Sequence, residues 1–210
     1  MKIRVPILGT IACALLLSGC SQLEPSTDSP NVNKNLSVLV PEYVELSKAR
    51  LPNGRRFLSL GDSEEKALSI FSRPSRGFPI EDSIPGLPAD FKAKGWDSGT
   101  EGFGVIIHDD KIVLAMHQYE AIEADEFASI LVNVQETNGL GRFQKAMQDK
   151  AEYWFVKVGK DIIAISRVAG TKKRYQVTVT VGNEHLMNAL GILRDVKKED
   201  ILSNSEDHAL

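Results

Sequence analysis

The sequence predicts an α+β fold: an antiparallel sheet with helices packed on one face. Three observations carry this. Tyr175, Val177, Val179 and Val181 alternate with Gln176, Thr178 and Thr180, the period of a strand with one buried and one wet face. Two pairs of strand-like runs flank compact polar turns. Phe103–Ile107 and Lys111–Tyr119 meet at His108-Asp109-Asp110, and Tyr153–Val158 and Ile162–Val168 meet at Gly159-Lys160-Asp161, the pattern of hairpins. Between them, Glu123–Thr137 switches to helical spacing, with Phe127, Ile130, Leu131 and Val134 in one stripe and Asn138-Gly139 as the stop.

The hairpin-then-helix plan occurs twice. Phe103-Gly104-Val105-Ile106-Ile107 through Leu114-Ala115 parallels Trp154-Phe155-Val156-Lys157-Val158 through Ala164-Ile165, and the second unit adds Tyr175–Val181 before its helix. Two repeated hairpin–helix units in one continuous sheet are therefore a further expectation.

At the start of the chain, Lys2 and Arg4 precede an apolar run from Ile7 to Leu17. That run is shorter than the ~20 residues of a membrane-spanning helix and has the length and flanks of a signal-peptide core. Its close, Leu17-Ser18-Gly19-Cys20, resembles the lipobox of bacterial lipoproteins. The resemblance implies that residues 1–19 are removed and that Cys20 becomes the acylated, palmitate-bearing first residue. It further implies an address in the cell envelope. Ser21 stands where an aspartate often marks inner-membrane retention in Gram-negative lipoproteins, so in a Gram-negative cell the resemblance implies sorting to the periplasmic face of the outer membrane.

Cys13 and Cys20 are the sole cysteines. With the first removed and the second acylated, no disulfide staples the exported domain, and a hydrophobic core must hold it. Of the 25 basic residues, Lys2 and Arg4 leave with the signal, so 23 face 28 acids and the mature net charge is −5. That balance argues against a nucleic-acid partner, which needs a basic surface.

Residues 20–36 are polar, with Pro25 and Pro30 and no hydrophobic period. Such a segment buries too little to offset its ordering entropy and reads as a tether. A single domain is expected over 37–194 and a charged, fraying tail over 195–210. Val38–Leu46 mixes β-branched and aromatic residues, with Pro41 limiting it to an edge strand or an extended lead-in. Leu51-Pro52-Asn53-Gly54 reads as a turn and Arg56–Leu60 as a short strand. A helix follows, with Asp62 as cap, Glu65 in the capping-box position, Ala67, Leu68, Ile70 and Phe71 as its apolar stripe, and Pro74 as its end.

This stretch, Leu60-Gly61-Asp62-Ser63-Glu64-Glu65 through Arg73-Pro74, is similar to the opening helix of the BamE/SmpA family of small outer-membrane lipoproteins. Ser72-Arg73-Pro74 replaces that family's glycine-proline step. The resemblance implies an α+β lipoprotein domain that binds neighbours, and it carries over no functional residue.

Phe78–Gly99 holds Pro79, Pro85 and Pro88 among glycines and reads as a long loop. A loop of this length either pins itself over the sheet or contacts a partner, and Phe78, Phe91 and Trp96 are its candidate partner-binding residues. Asn183 is placed to cap a last helix with Leu186, Met187, Leu190 and Leu193 on its apolar side.

His117 with Glu120, Glu123 and Glu126 is the candidate acid–base or metal cluster. It lacks a third ligand at a recognisable spacing, and the acids suit the positive end of the following helix. His108-Asp109-Asp110 and Glu184-His185 suit turn and helix-start chemistry. No Gly-x-Ser-x-Gly elbow occurs. Gly102-Phe103-Gly104 and Gly139-Leu140-Gly141 lack the strand-then-helix setting of a nucleotide fingerprint. Lys172-Lys173-Arg174 reads as a solvated loop between strands. The expectation is thus a lipid-anchored, non-enzymatic binding or assembly domain with no catalytic residue, metal or cofactor, facing an envelope protein partner. The alternatives are a small hydrolase or metal-dependent enzyme built on His117, and a module binding lipid or glycan between the sheet and the long loop.

Overall fold

The computed structural model describes residues 40, 42–71, 76–79, 84, 87–97, 100–148, 151–170 and 174–190, with 76–79, 97 and 148 by backbone alone. The signal segment, Cys20, the 20–36 tether, Leu193 and the 195–210 tail lie outside the described residues.

Residues 42–46 are helical, where an edge strand or an extended lead-in was expected. Val40, Tyr43 and Val44 are buried while Glu42 and Glu45 are exposed, which is helical spacing. That amphipathic pattern outweighs the β-branched content. Two short strands, β1 (Arg50–Asn53) and β2 (Arg56–Ser59), then pair around Gly54. Leu51 and Pro52 belong to β1, not to the turn, and Leu51 faces Leu58 with both buried. Helix α1 (Glu64–Ile70) is capped by Ser63, whose hydroxyl accepts from the Lys66 N–H. Asp62 does not cap it. Its carboxylate accepts from the Ser59 N–H at 2.8 Å and pairs with Lys66 at 3.0 Å.

Among the described residues the main sheet has eight strands: β3 (Arg76–Pro79), β4 (Phe91–Asp97), β5 (Glu101–His108), β6 (Lys111–Ile122), β7 (Gln144–Gln148), β8 (Ala151–Val158), β9 (Asp161–Ala169) and β10 (Tyr175–Asn183). All pairings are antiparallel, in the order β3-β4-β5-β6-β10-β9-β8-β7. Helix α2 (Ala124–Asn138) follows β6 and helix α3 (Glu184–Ala189) follows β10. The fold class is the α+β antiparallel arrangement that the alternation in β10 predicts.

Each half is thus a four-strand meander followed by a helix, and the last strands of the two meanders, β6 and β10, pair at the centre. The topology is that of two units about a two-fold axis normal to the sheet. It aligns the β5–β6 hairpin with β9–β10, one strand later than the Phe103/Trp154 matching assumes. The shift arises because β7, Gln144-Lys145-Ala146-Met147-Gln148, lacks the apolar alternation by which strands are recognised.

The stretch expected as a loop over Phe78–Gly99 contains the end of β3 and the whole of β4. Pro79 is tolerated because β3 is an edge strand. β4 runs Phe91↔His108 through Asp97↔Gly102 against β5, and its lysines and glycine hide an alternation that pairing makes plain.

One lateral row shows how the core is laid down. Trp96, Phe103, His117, Val179, Ile165 and Trp154 are successive cross-strand partners on one face. Phe71, just past α1, stacks on Phe103 with centroids 4.0 Å apart, and Phe127 of α2 meets Trp154 at 4.7 Å. Helices α1 and α2 therefore cover the same face, and each fully buried large side chain there contributes about 1.5–3 kcal/mol. Gly182 marks a close approach at the α3 end: a Cβ there would stand 3.1 Å from Leu114 Cδ1 and 3.2 Å from Met187 Cγ.

Candidate functional site

His117 is the residue on which catalytic chemistry would have to rest. It lies inside β6, which continues to Ile122, and it is 1% exposed. Its partner is Glu101 of the neighbouring strand, with Nε2 3.1 Å from Oε2. The register Phe103↔His117 and Glu101↔Tyr119 makes the two diagonal neighbours on one face. Glu120, Glu123 and Glu126 do not join it. Glu126 instead accepts the Glu123 N–H at 2.8 Å and closes the capping box of α2. The imidazole packs edge-on to Phe71 at 5.0 Å and against Tyr119 at 4.0 Å, and Nδ1 has no partner.

The electrostatics follow from this packing. The hydrogen bond from His117 holds the Glu101 carboxyl below its ordinary range, against the opposing effect of burial. Burial raises the Tyr119 phenol, and the nearby Glu101 charge adds to the rise. One ring nitrogen is engaged by Glu101 and the other faces the packed interior, so the pair braces β5 against β6. Among the described residues, no group of three or more His, Cys, Asp or Glu side chains is placed to hold a metal ion.

The other histidine of interest is braced as well. His108 Nε2 lies 3.0 Å from Asp90 Oδ2, and its ring packs on Phe91 at 4.5 Å. Asp109 and Asp110 adopt φ of 48° and 59°, the left-handed pair of a tight hairpin turn. The candidate contact residues are also accounted for in part. Phe91 and Trp96 are 3% and 7% exposed, strand residues of the core that a partner reaches only by unfolding β4. The side chain of Phe78 lies outside the described residues.

Two polar constellations were not legible as sites. Arg167 on β9 lies over the rings of Phe127, Tyr175 and Trp154 at 4.6, 4.5 and 5.1 Å, and its Nε donates to Glu152 at 2.7 Å. Lys145 of β7 meets the same carboxylate at 2.7 Å. The Lys145 hydrogen bond and then those of Arg167 hold Glu152 below its ordinary range. Glu152 faces Arg167 directly, Trp154 and Tyr175 lie diagonally across its two neighbouring strands, and Lys145 faces Trp154, so only the register reveals the group.

The second constellation centres on Asp161, whose local sequence, Gly159-Lys160-Asp161, announces only a turn. It opens β9 and is 1% exposed. Its carboxylate accepts from the Tyr43 hydroxyl, from Ser47 Oγ at 2.8 Å, and from the N–H groups of Lys48 and Ala49 at 3.3 and 3.2 Å. Burial and then the bond to Asp161 raise the Tyr43 phenol far above its ordinary value. All four donors lie more than a hundred residues upstream, so no local spacing could announce them. Beside this cage is a cleft of about 180 Å³ lined by the 42–46 helix, the β8–β9 turn and the start of α3. Asn183 ties two of those walls together: its Nδ2 donates to the Lys160 carbonyl at 3.1 Å, and its Oδ1 accepts from the N–H groups of His185 and Leu186.

No protein-family model matches the chain, and no curated protein matches it. Among solved structures, a cysteine-rich secretory protein from Staphylococcus aureus is similar at 11% identity and a TM-score of 0.32. That alignment covers 61% of this chain and 46% of that one, so the chain spans under half of the staphylococcal protein. A DUF4309 family protein from Bacillus subtilis is similar at 16% identity and the same TM-score, over 73% of this chain and 96% of that one.

Proposed function

We propose that this chain is a lipid-anchored, non-enzymatic binding domain of the bacterial cell envelope. It is held through Cys20 at the periplasmic face of the outer membrane, where it docks an envelope protein. The observation that carries this reading is the lipobox-like Leu17-Ser18-Gly19-Cys20 closing an apolar run of signal-peptide length, followed by a polar tether. In support, the titratable groups best suited to catalysis are engaged in bracing the fold: His117 with Glu101, His108 with Asp90, and Asp161 with four donors. A single acyl chain binds a membrane only marginally, and two or more make release negligible.

The test is Cys20→Ala in cells fed labelled palmitate. The native chain should take up label and sediment with membranes, and the variant should do neither. Label or membrane association retained by the variant would remove the anchor.

A further inference from the structure

We propose that the cleft beside Asp161 is a docking socket for one large apolar side chain, of the leucine or phenylalanine class. That side chain would belong to a partner protein's peptide segment and be flanked there by one basic and one acidic residue. The inference rests on the binding-domain reading above and assigns that reading a site.

Size decides the class of occupant. An apolar cavity of about 150 Å³ takes a benzene-sized ring, whereas pockets for whole small-molecule ligands run about 300–1,000 Å³. At about 180 Å³, the cleft matches one large side chain more closely than a whole small-molecule ligand. Its chemistry decides the character of the occupant. Val40, Tyr43 and Leu186 form a buried apolar floor. Inside the charged rim, the Tyr43 hydroxyl is spent on Asp161 and the Asn183 amide on the Lys160 carbonyl and on the backbone of α3. An inserted group meets no polar partner inside and so must be apolar.

The rim decides the flanks. Glu42, Lys160 and His185 are exposed around the mouth. No ion pair among the described residues engages the Glu42 carboxylate or the Lys160 ammonium. One charge of each sign on two separate elements complements a segment carrying the opposite pair. A buried apolar anchor ringed by charges is the anatomy of an interface hot spot, and the rim charges contribute specificity more than strength.

The floor is also the chain's first described turn, directly after the tether, and Asp161 holds that turn in place. An occupant that packs on Val40 and Tyr43 would therefore also protect the 42–49 segment.

The experiment uses the chain carrying Cys20→Ala, so that no acyl group competes. The methyl resonances of Val40 and Leu186 are followed while acetyl-Lys-Phe-Asp-amide or acetyl-Lys-Ala-Asp-amide is added. The phenylalanine peptide should shift both residues saturably, with an affinity about tenfold to a hundredfold above the alanine peptide. The exposed double swap Glu42→Lys with Lys160→Glu should weaken it about two- to fivefold and leave distant methyls unmoved. Unmoved Val40 and Leu186 methyls, or equal binding of the two peptides, would overturn the socket. So would monomeric dodecylphosphocholine binding the same methyls more tightly than the peptide, since the site would then be a lipid's. Failure of palmitate to label Cys20 would end the anchor reading and leave this titration standing, so the two failures are distinguishable.

Discussion

Replacing Asp161 with alanine should cost about 3 kcal/mol of global stability and release residues 42–49 from the domain. The magnitude follows from the four donors the carboxylate accepts. Ser47 is half-buried and Lys48 is exposed, so water can replace Asp161 at those two groups. The Tyr43 hydroxyl and the Ala49 N–H are buried, and each donor stranded there costs about 1–3 kcal/mol. Tyr43→Phe removes one donor while the other three remain and should cost about 1 kcal/mol. Because the two groups touch, the double variant should lose less than the sum of the single ones. Against a total stability of about 5–15 kcal/mol, the alanine variant stays folded and measurable. Urea unfolding followed by tryptophan fluorescence gives the global number, and amide exchange over residues 42–49 gives the local one. A loss below ~1 kcal/mol with unchanged exchange would refute the idea that one carboxylate fastens this segment.

Three further outcomes follow from the same geometry. Ala121 sits at φ 59°, where β6 bulges opposite the Tyr175–Val177 step, so Ala121→Gly should relieve strain and gain about 0.5–1 kcal/mol in urea. Gly61 has φ +91° and a Cβ there would stand 2.9 Å from Val44 Cγ1, so Gly61→Ala should cost about 2 kcal/mol or more on the same assay. Glu101 is held below its ordinary pKa of 4.5 by its bond to His117. Its contribution is therefore present above that pH and is lost as pH falls through the lower folded value. Urea midpoints taken between pH 6 and 3 should fall for the native chain and fall less for Glu101→Gln; parallel curves would dissociate Glu101 from acid sensitivity.

The parts of the fold that were legible are those where one local period acts alone. β10 shows strict alternation, α2 shows a stripe between an acidic start and Gly139, and Asn183 caps α3 as its position suggests. The parts that were hidden depend on partners distant in sequence. β4 and β7 are strands because β5 and β8 pair with them, and their lysines, glycine and glutamines carry little local signal. The 42–46 helix was hidden by β-branched content, and the burial of Val40, Tyr43 and Val44 beside exposed Glu42 and Glu45 reveals its face. The site was the least legible of all. His117 was conspicuous because histidines are few, yet its carboxylate partner is Glu101, sixteen residues upstream across a hairpin. Asp161 looked like ordinary turn chemistry, and its donors lie 112–118 residues away. Burial of Phe91 and Trp96 likewise became visible only with the register of β4 on β5.

A lipid at Cys20 is proposed to present this domain to an envelope partner. Intact mass spectrometry of the mature chain extracted from bacterial membranes tests it most directly. The expected result is a polypeptide that begins at Cys20, with a mass excess of two or three acyl chains on that residue. A mature chain that begins elsewhere, or one with an unmodified Cys20 recovered from the soluble fraction, would contradict it.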